Sequence, residues 1–434
     1  MPTLELLGFL GILLLVCTFF LNREWGFCAY VAMQPFILSG LLGFNSTTLI
    51  FMVVATFCAF IAMLVRRERP IVHKWHIPVF LFSSYLALQC LLWFTRDFSY
   101  GALCFAAVFL VLPFHVLFLP TAMPRSRWAE KFIRWYVIGS TAYFSGLLVL
   151  WVLGSRLSSY VIQDGVVRML GLGETHPAYF TSGSPLLVAC AFYYVVAGRG
   201  YEKALGVAAI ASVFAVTVLS GSRGALVSGI VAVVSCVVLA RGYRLRLAVA
   251  LGLAVLGLGI FLKAMPSMSD RLVRFDPRKQ LRTPESRYFE HAAAYALFRE
   301  YPIFGVGPGG FRNKAALLVA MYAELDFPGS SRWMMDVELG APLNVASTWL
   351  FYFVQTGLVG GILFGLVVGF PAWGFLRSSK EAAESERGQW SFLLAGWFAF
   401  LVHLGGIQGH LHPLTWLLVA VGTSGPHLRR TDVS

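Results

Sequence analysis

Charge is scarce in this sequence. Only 13% of its 434 residues are Asp, Glu, Lys or Arg, against 58% that are apolar, and the mean hydropathy is +0.73. A soluble domain carries about 25% charged residues, so that class is excluded and a polytopic membrane protein is expected. Acidic side chains are scarcer still, 21 against 34 basic ones, a formal net charge of +13. The excess does not form a nucleic-acid surface, because the basic residues gather in short clusters between apolar runs, and no nucleic-acid partner is expected. Cysteine is sparse and scattered: Cys17, Cys28, Cys58, Cys90, Cys104, Cys190 and Cys236 lie in or beside apolar segments without ligand-like pairs. That excludes a disulfide framework and a cysteine zinc site, and leaves small core residues. HExxH, CxxC and DxD patterns are missing, so neither a metal nor another cofactor is expected. The alternation of a membrane barrel is missing too. The first stretch, "MPTLELLGFLGILLLVCTFFL", has no basic n-region or small-residue cleavage site and reads as a retained first helix.

What remains is a series of apolar segments near the roughly 20 residues that cross a ~30 Å hydrocarbon core. With backbone polar groups needing partners inside lipid, helices are the expected spanning elements, and the fold class is all-α, one integral domain over 1–434. Spans are expected at about 5–21, 27–43, 47–65, 76–95, 101–120, 135–154, 178–197, 204–219, 224–240, 246–264, 345–370 and 390–407, about twelve in all, with a further short segment at 411–423. Four basic clusters, "RRERPIVHK" (Arg66 to Lys74), "PRSRWAEKFIR" (Pro124 to Arg134), "RGYRLR" (Arg241 to Arg246) and "RSSKEAAESER" (Arg377 to Arg387), alternate as cytoplasmic loops. Ten helices before the long loop put the N-terminus outside, whereas an incompletely spanning first hairpin puts it inside. Residues 265–344 then form one extracytoplasmic insertion of 80 residues, with ten basic and nine acidic side chains. Long loops of this kind tend to be functional.

Candidate functional residues follow from that topology. Arg223 lies in "LSGSRGALVSG", between two membrane-length runs and flanked by Gly221 and Gly224. An arginine at membrane depth is costly unless it snorkels, pairs or faces an aqueous cavity. Arg168, before "MLGLGETHPAYF", and Arg287, in the long loop, fall on the same side. Guanidinium groups bind phosphate oxygens in bidentate fashion and stay charged at any relevant pH, so three converging on an outer cavity suit a diphosphate. His176, Asp336 and Glu338 are the candidate proton acceptors; His291 points to water, and His403, His410 and His412 are interfacial in this reading. The run "GVGPGG" (Gly305 to Gly310) satisfies G-x-G-x-x-G, but the dinucleotide fingerprint needs a strand before it and a helix after it in a βαβ unit. A tight turn between two loop helices is expected instead. The preceding "ESRYFEHAAAYALFREYP" has helical spacing, with Phe289, Ala292, Ala293, Ala296 and Leu297 along one side, as a helix on the membrane surface does. "GILFGLVVGF" (Gly361 to Phe370) reads as a packing face.

Taken in order, "RMLGLGETHPAYF", "SGSRGAL", "SRYFEHAAAYALFREYPIFGVGPGGF" and "ASTWLFYFVQTGLVGGILF" resemble the signatures of the O-antigen ligase and Wzy-type polymerase superfamily. The resemblance covers about the second half of the chain. It implies a GT-C-type glycosyltransferase of the bacterial inner membrane, acting at the periplasmic face on a glycan carried by undecaprenyl diphosphate. The acceptor is another lipid-linked glycan in a polymerase and lipid A–core in a ligase; a chain-length regulator is the further partner. Arg168, Arg223 and Arg287 match the arginines that surround the donor diphosphate in that family. One departure is plain. Ligases show His-Asn at the start of the helix after the long loop, where this chain has Ala346 and Ser347, with Gln355 where the family often has Glu. A methyl group takes no proton, so the resemblance leans to a polymerase of O antigen or exopolysaccharide, with a ligase second. A transporter of lipid-linked glycan is a third reading, although the single off-centre polar insertion does not match the two related halves common in transporters.

Overall fold

The computed structural model describes residues 2–37, 44–94, 110–249, 284–321 and 347–428, less short gaps within them, of which 173–180 and 406–412 bear on the site. The described chain is dominated by helices: α1 (Pro2–Leu21), α2 (Arg23–Ile37), α3 (Phe44–Val65), α4 (Ile77–Phe94), α5 (Leu110–Ala122), α6 (Trp128–Val152), α7 (Ser184–Ala197), α8 (Tyr201–Ser220), α9 (Arg223–Leu239), α10 (Pro284–Glu300), α11 (Thr348–Glu381), α12 (Glu384–Leu404) and α13 (Pro413–Leu428). Among the described residues, four helical stretches, Lys74–Leu92, Trp128–Val152, Tyr201–Ser220 and Thr348–Glu381, are long and apolar enough to cross a membrane, and six shorter apolar helices accompany them. Large apolar side chains such as Phe20, Leu21, Val65 and Leu91 are more than two-thirds exposed, while Trp390, Trp397 and Trp416 are buried. A water-facing surface does not tolerate such a belt, and a lipid-facing one requires it.

One element departs from an all-helical reading. Residues Ser158–Gln163 (β1) and Val166–Leu172 (β2) form a two-stranded antiparallel hairpin, with Val161 opposite Arg168 and Tyr160 opposite Met169. The segment is rich in Val, Tyr and Ile on both sides of a short connection, which is the composition of a hairpin. It follows the last turn of α6, and β2 packs against α8.

The basic clusters expected as cytoplasmic loops are gathered at one end of the bundle. Arg23, at the α1–α2 turn, is ion-paired with Glu68 after α3. Lys131 reaches Glu24 at 3.1 Å, Trp128 meets Trp390 with ring centroids 4.6 Å apart, and Arg246 donates to the carbonyl of Val196. The α1–α2 turn therefore sits beside the Arg66 to Lys74 loop, so α1 runs towards this end rather than away from it.

The largest correction concerns the span expected at 345–370. The helix α11 is broken at Gly357, where φ is 66° and ψ is −168°, into arms of 348–356 and 358–381. Trp349 and Phe364 lie fifteen residues apart, which is about 22 Å along a straight helix. Their ring centroids are 5.2 Å apart, and those of Tyr352 and Phe364 are 4.0 Å apart. The short arm thus folds back along the long one, and only the long arm can span.

Breaking a helix in an apolar setting exposes backbone groups that need partners. Here the turn after α10 supplies them. Val306 N donates to Val354 O at 2.9 Å and Gly307 N to Gln355 O at 2.9 Å; in return Leu358 N donates to Pro302 O at 2.8 Å and Val359 N to Ile303 O at 3.3 Å. Tyr85 and Gln89 on α4 close the arrangement: Tyr85 Oη donates to Thr356 O, and Gln89 Nε2 to Phe304 O, each at 2.7 Å. The "GVGPGG" run is thus a tight turn, as expected, but its partner is the broken helix. Gly305 has φ of 72°, and a Cβ there would collide with the Gln355 carbonyl; one at Gly357 would collide with that of Ile303. Two positive-φ positions in direct apposition require glycine at both. The helix α10 also differs from a free surface helix, because Ala293, Ala294 and Leu297 are buried and it docks on α11 through Phe298 and Phe353.

Gly357→Ala is expected to cost about 1–3 kcal/mol or more, from the strained φ and the collision together. Hydrogen exchange at the amides of Val306, Gly307 and Leu358 should accelerate in that variant. Unchanged protection would sink the account of the break.

Candidate functional site

The turn that carries Arg223 lies at the end of the bundle opposite the basic loops, because α9 runs from Arg223 towards Arg241 at the basic end. Gly221 ends α8 with φ of 62°, Ser222 takes an extended conformation (φ −82°, ψ 94°), and α9 begins at Arg223 itself. The arginine therefore sits in the first turn of a helix, where the macrodipole already favours an anion. Its side chain is half-buried.

Neutral hydrogen bonds hold the turn. Thr181 Oγ1, three residues before α7, donates to Ser222 Oγ at 3.2 Å, and both side chains are buried. One turn into α9, Ser228 Oγ donates to Gly224 O at 2.7 Å and lies 3.1 Å from Nδ1 of His403 on α12. A hydroxyl has one hydrogen. With that hydrogen on the carbonyl, Ser228 accepts from His403, which makes Nδ1 the protonated ring nitrogen and leaves the lone pair on Nε2. The imidazole also lies against Gly224, the residue after Arg223. His403 was expected at the interface; it is instead 2% exposed and packed beside the Arg223 turn. The only sequence signal is a single histidine at the end of an otherwise apolar helix, which does not distinguish the two placements.

The start of α11 joins the same neighbourhood. Trp349 Nε1 donates to Leu401 O at 3.1 Å, two residues from His403. Ser347 caps α11, accepting from Leu350 N at 3.4 Å, so the hydroxyl at the position where ligases carry asparagine is engaged in capping. Gln355 is buried in the break of α11.

Of the expected diphosphate arginines, Arg223 is fully described. Arg168 lies on β2 with its backbone opposite Val161, and that strand rests on α8, the helix leading to the Arg223 turn. Arg287 lies in the first turns of α10, which docks on α11. Elements carrying all three are brought to one end of the bundle, although the side chains of Arg168 and Arg287 are not among those described. His176, Asp336 and Glu338 lie outside the described residues, as do Ala346, His410 and His412.

Residues 207–365 match the family model described as O-antigen ligase, consistent with the O-antigen ligase and Wzy superfamily. Members of this superfamily are glycosyltransferase-like enzymes whose substrates are lipid-linked glycans in a membrane. The matched stretch runs from α8 through Arg223, Arg287 and the Gly305 turn to the long arm of α11, just past the break; His403 lies beyond it. No curated protein matches the chain.

Replacing His403 by alanine leaves a buried serine and a cavity beside the turn and is expected to destabilise the protein by about 1–3 kcal/mol. His403→Asn, whose amide nitrogen takes the Nδ1 position, should recover most of that loss. Thermal unfolding of the two variants in detergent checks this, and equal losses would mean the Ser228 contact is not what His403 contributes.

Proposed function

We propose that the chain is a metal-independent glycosyltransferase that polymerises undecaprenyl-diphosphate-linked oligosaccharide repeat units at the periplasmic face of the bacterial inner membrane, building O antigen or an exopolysaccharide. The observation that carries this reading is the Arg223 turn: a guanidinium in the first turn of α9, inside the matched family segment, at the end opposite the basic loops. The positive-inside bias puts the basic loops in the cytoplasm, so the turn faces the periplasm, with 265–344 as the long loop above it in one integral domain. Arg223, with Arg168 and Arg287, holds the diphosphate of the donor. The acceptor is a sugar hydroxyl of a second lipid-linked repeat. Its oxygen attacks the anomeric carbon, the bond from that carbon to the diphosphate oxygen breaks, and the arginines stabilise the charge that develops on the leaving diphosphate. The hydroxyl proton passes to Glu338, Asp336 or His176. His403, through Ser228 and Gly224, positions the turn.

A ligase that passes the glycan to lipid A–core is the second reading, favoured by the description of the matched family model. Against it stand Ala346, which has no proton acceptor, and Ser347, which caps α11. Transport of a lipid-linked glycan is tested alongside, since purified protein that lengthens lipid-linked repeats without a membrane gradient is not acting as a transporter.

Arg223→Ala is expected to abolish polymer while the protein remains in the membrane at normal abundance, and Arg223→Lys to retain only a small fraction, because an ammonium cannot replace a bidentate contact. Long chains persisting in the alanine strain would remove the diphosphate role. In a deletion strain, lipopolysaccharide with single repeats marks a polymerase; polymer that never reaches lipid A–core marks a ligase.

A further inference from the structure

A second basic site lies at the opposite end of the molecule. Between the α1–α2 turn and the last turn of α3 is a notch of about 150 Å³, walled by Phe20, Cys58, Ile61 and Val65 and lined by Arg23 and Arg66. That is about ten times the ~10–15 Å³ that one water needs by the same measure, room for a phosphate group and the first atoms attached to it. The two arginines differ. Arg23 is 7% exposed and fixed by its ion pair with Glu68, whereas Arg66 is exposed and has no ion-pair partner among the described residues. Two guanidiniums and one carboxylate leave the notch with a net positive charge. Its mouth opens between Phe20 (71% exposed) and Val65 (78%), side chains whose exposure belongs against hydrocarbon. A ligand that enters here has to bring an anion at one end and chains that tolerate that belt at the other.

We propose that this notch binds the phosphate of an anionic glycerophospholipid of the leaflet at the basic end, with its acyl chains lying along Phe20, Ile61 and Val65. Arg66 supplies the free charge, and Arg23, held by Glu68, supplies remaining N–H donors in a fixed orientation. The lipid bridges α1, α2 and α3 at a gap in their packing. This assignment is independent of the sugar chemistry, because the notch and the Arg223 turn are at opposite ends of the bundle. A polyprenyl phosphate shares the head chemistry and is the alternative that the experiment separates.

The test uses the full chain purified in detergent, with phosphatidylglycerol, phosphatidylethanolamine or undecaprenyl phosphate added in separate arms. Bound lipid is counted by native mass spectrometry, and thermal unfolding is followed in parallel. Phosphatidylglycerol should be retained and should raise the unfolding temperature, with phosphatidylethanolamine doing neither. Arg66→Ala, an exposed substitution, should lower phosphatidylglycerol retention roughly fivefold, the effect of one interfacial cation on lipid binding. Ala62→Phe, which fills the notch without changing charge, should abolish the difference between the two phospholipids. Equal retention of both phospholipids by the wild-type chain, or retention unaffected by Arg66→Ala and Ala62→Phe, would overturn the site. Displacement of phosphatidylglycerol by equimolar undecaprenyl phosphate would overturn the choice of ligand.

Discussion

The backbone pairing between the Gly305 turn and the break in α11 is the constraint on which the site side of this protein rests. In an apolar surrounding an unpaired N–H or C=O costs on the order of a few kcal/mol, so a helix can be broken there only if a second segment is committed to the break. Four backbone hydrogen bonds between 302–307 and 354–359, with Tyr85 and Gln89 behind them, make that commitment. The consequence is mechanical. Because the turn at 302–307 follows α10 directly, the helix that carries Arg287 is tied to the folded-back arm of α11, and that arm is tied through Trp349 to the end of α12, where His403 meets the Arg223 turn. Regions far apart in sequence become one rigid neighbourhood through a handful of main-chain contacts.

The two ends of the bundle are stabilised by different chemistry. The ion pairs Arg23–Glu68, Arg127–Glu130, Lys131–Glu24 and Arg377–Glu381 are all at the basic end, where water and lipid headgroups moderate the cost of charge. At the other end the turn carrying Arg223 is fixed by the neutral contacts Thr181–Ser222 and Ser228–His403.

Much of the helical layout was legible from the residues, because hydropathy and the spacing of basic clusters report directly on what lipid and water tolerate. The gathering of the basic clusters at one end is seen in contacts such as Trp128–Trp390 and Lys131–Glu24. What escaped was anything decided by main-chain geometry. The run from Ser347 to Phe370 is predominantly apolar, and apolarity cannot distinguish a spanning helix from a hairpin of two arms; the local clue is the polar pair Gln355–Thr356 followed by Gly357, one glycine among 42. The β1–β2 hairpin escaped because the segment falls between the spans expected at 135–154 and 178–197, and its Val, Ile and Tyr content is short and interrupted by Gln163, Asp164 and Gly165. In the site, Arg223 was legible because an arginine between two apolar runs is costly and therefore conspicuous. His403 was not, since a histidine at the end of an apolar helix is equally compatible with an interface and with a buried contact.

The missing histidine at 346 and the buried one at 403 belong to a single argument about where rigidity is needed. A leaving diphosphate demands donors whose positions are set before the bond breaks, because preorganised charge is worth most where water is excluded. In the proposed reaction the arginine that would answer this demand is Arg223, on the first turn of α9, and a helix terminus frays unless neighbouring elements pin it. His403 pins it from α12 through Ser228, and Thr181 pins it from the start of α7 through Ser222. Proton acceptance by contrast requires a group that can meet a mobile sugar hydroxyl, and a carboxylate or imidazole on a loop serves that purpose as well as one on a helix. Under the proposed function, loss of the histidine at the start of α11 is tolerable when the loop supplies the base, whereas loss of the pins on Arg223 is not.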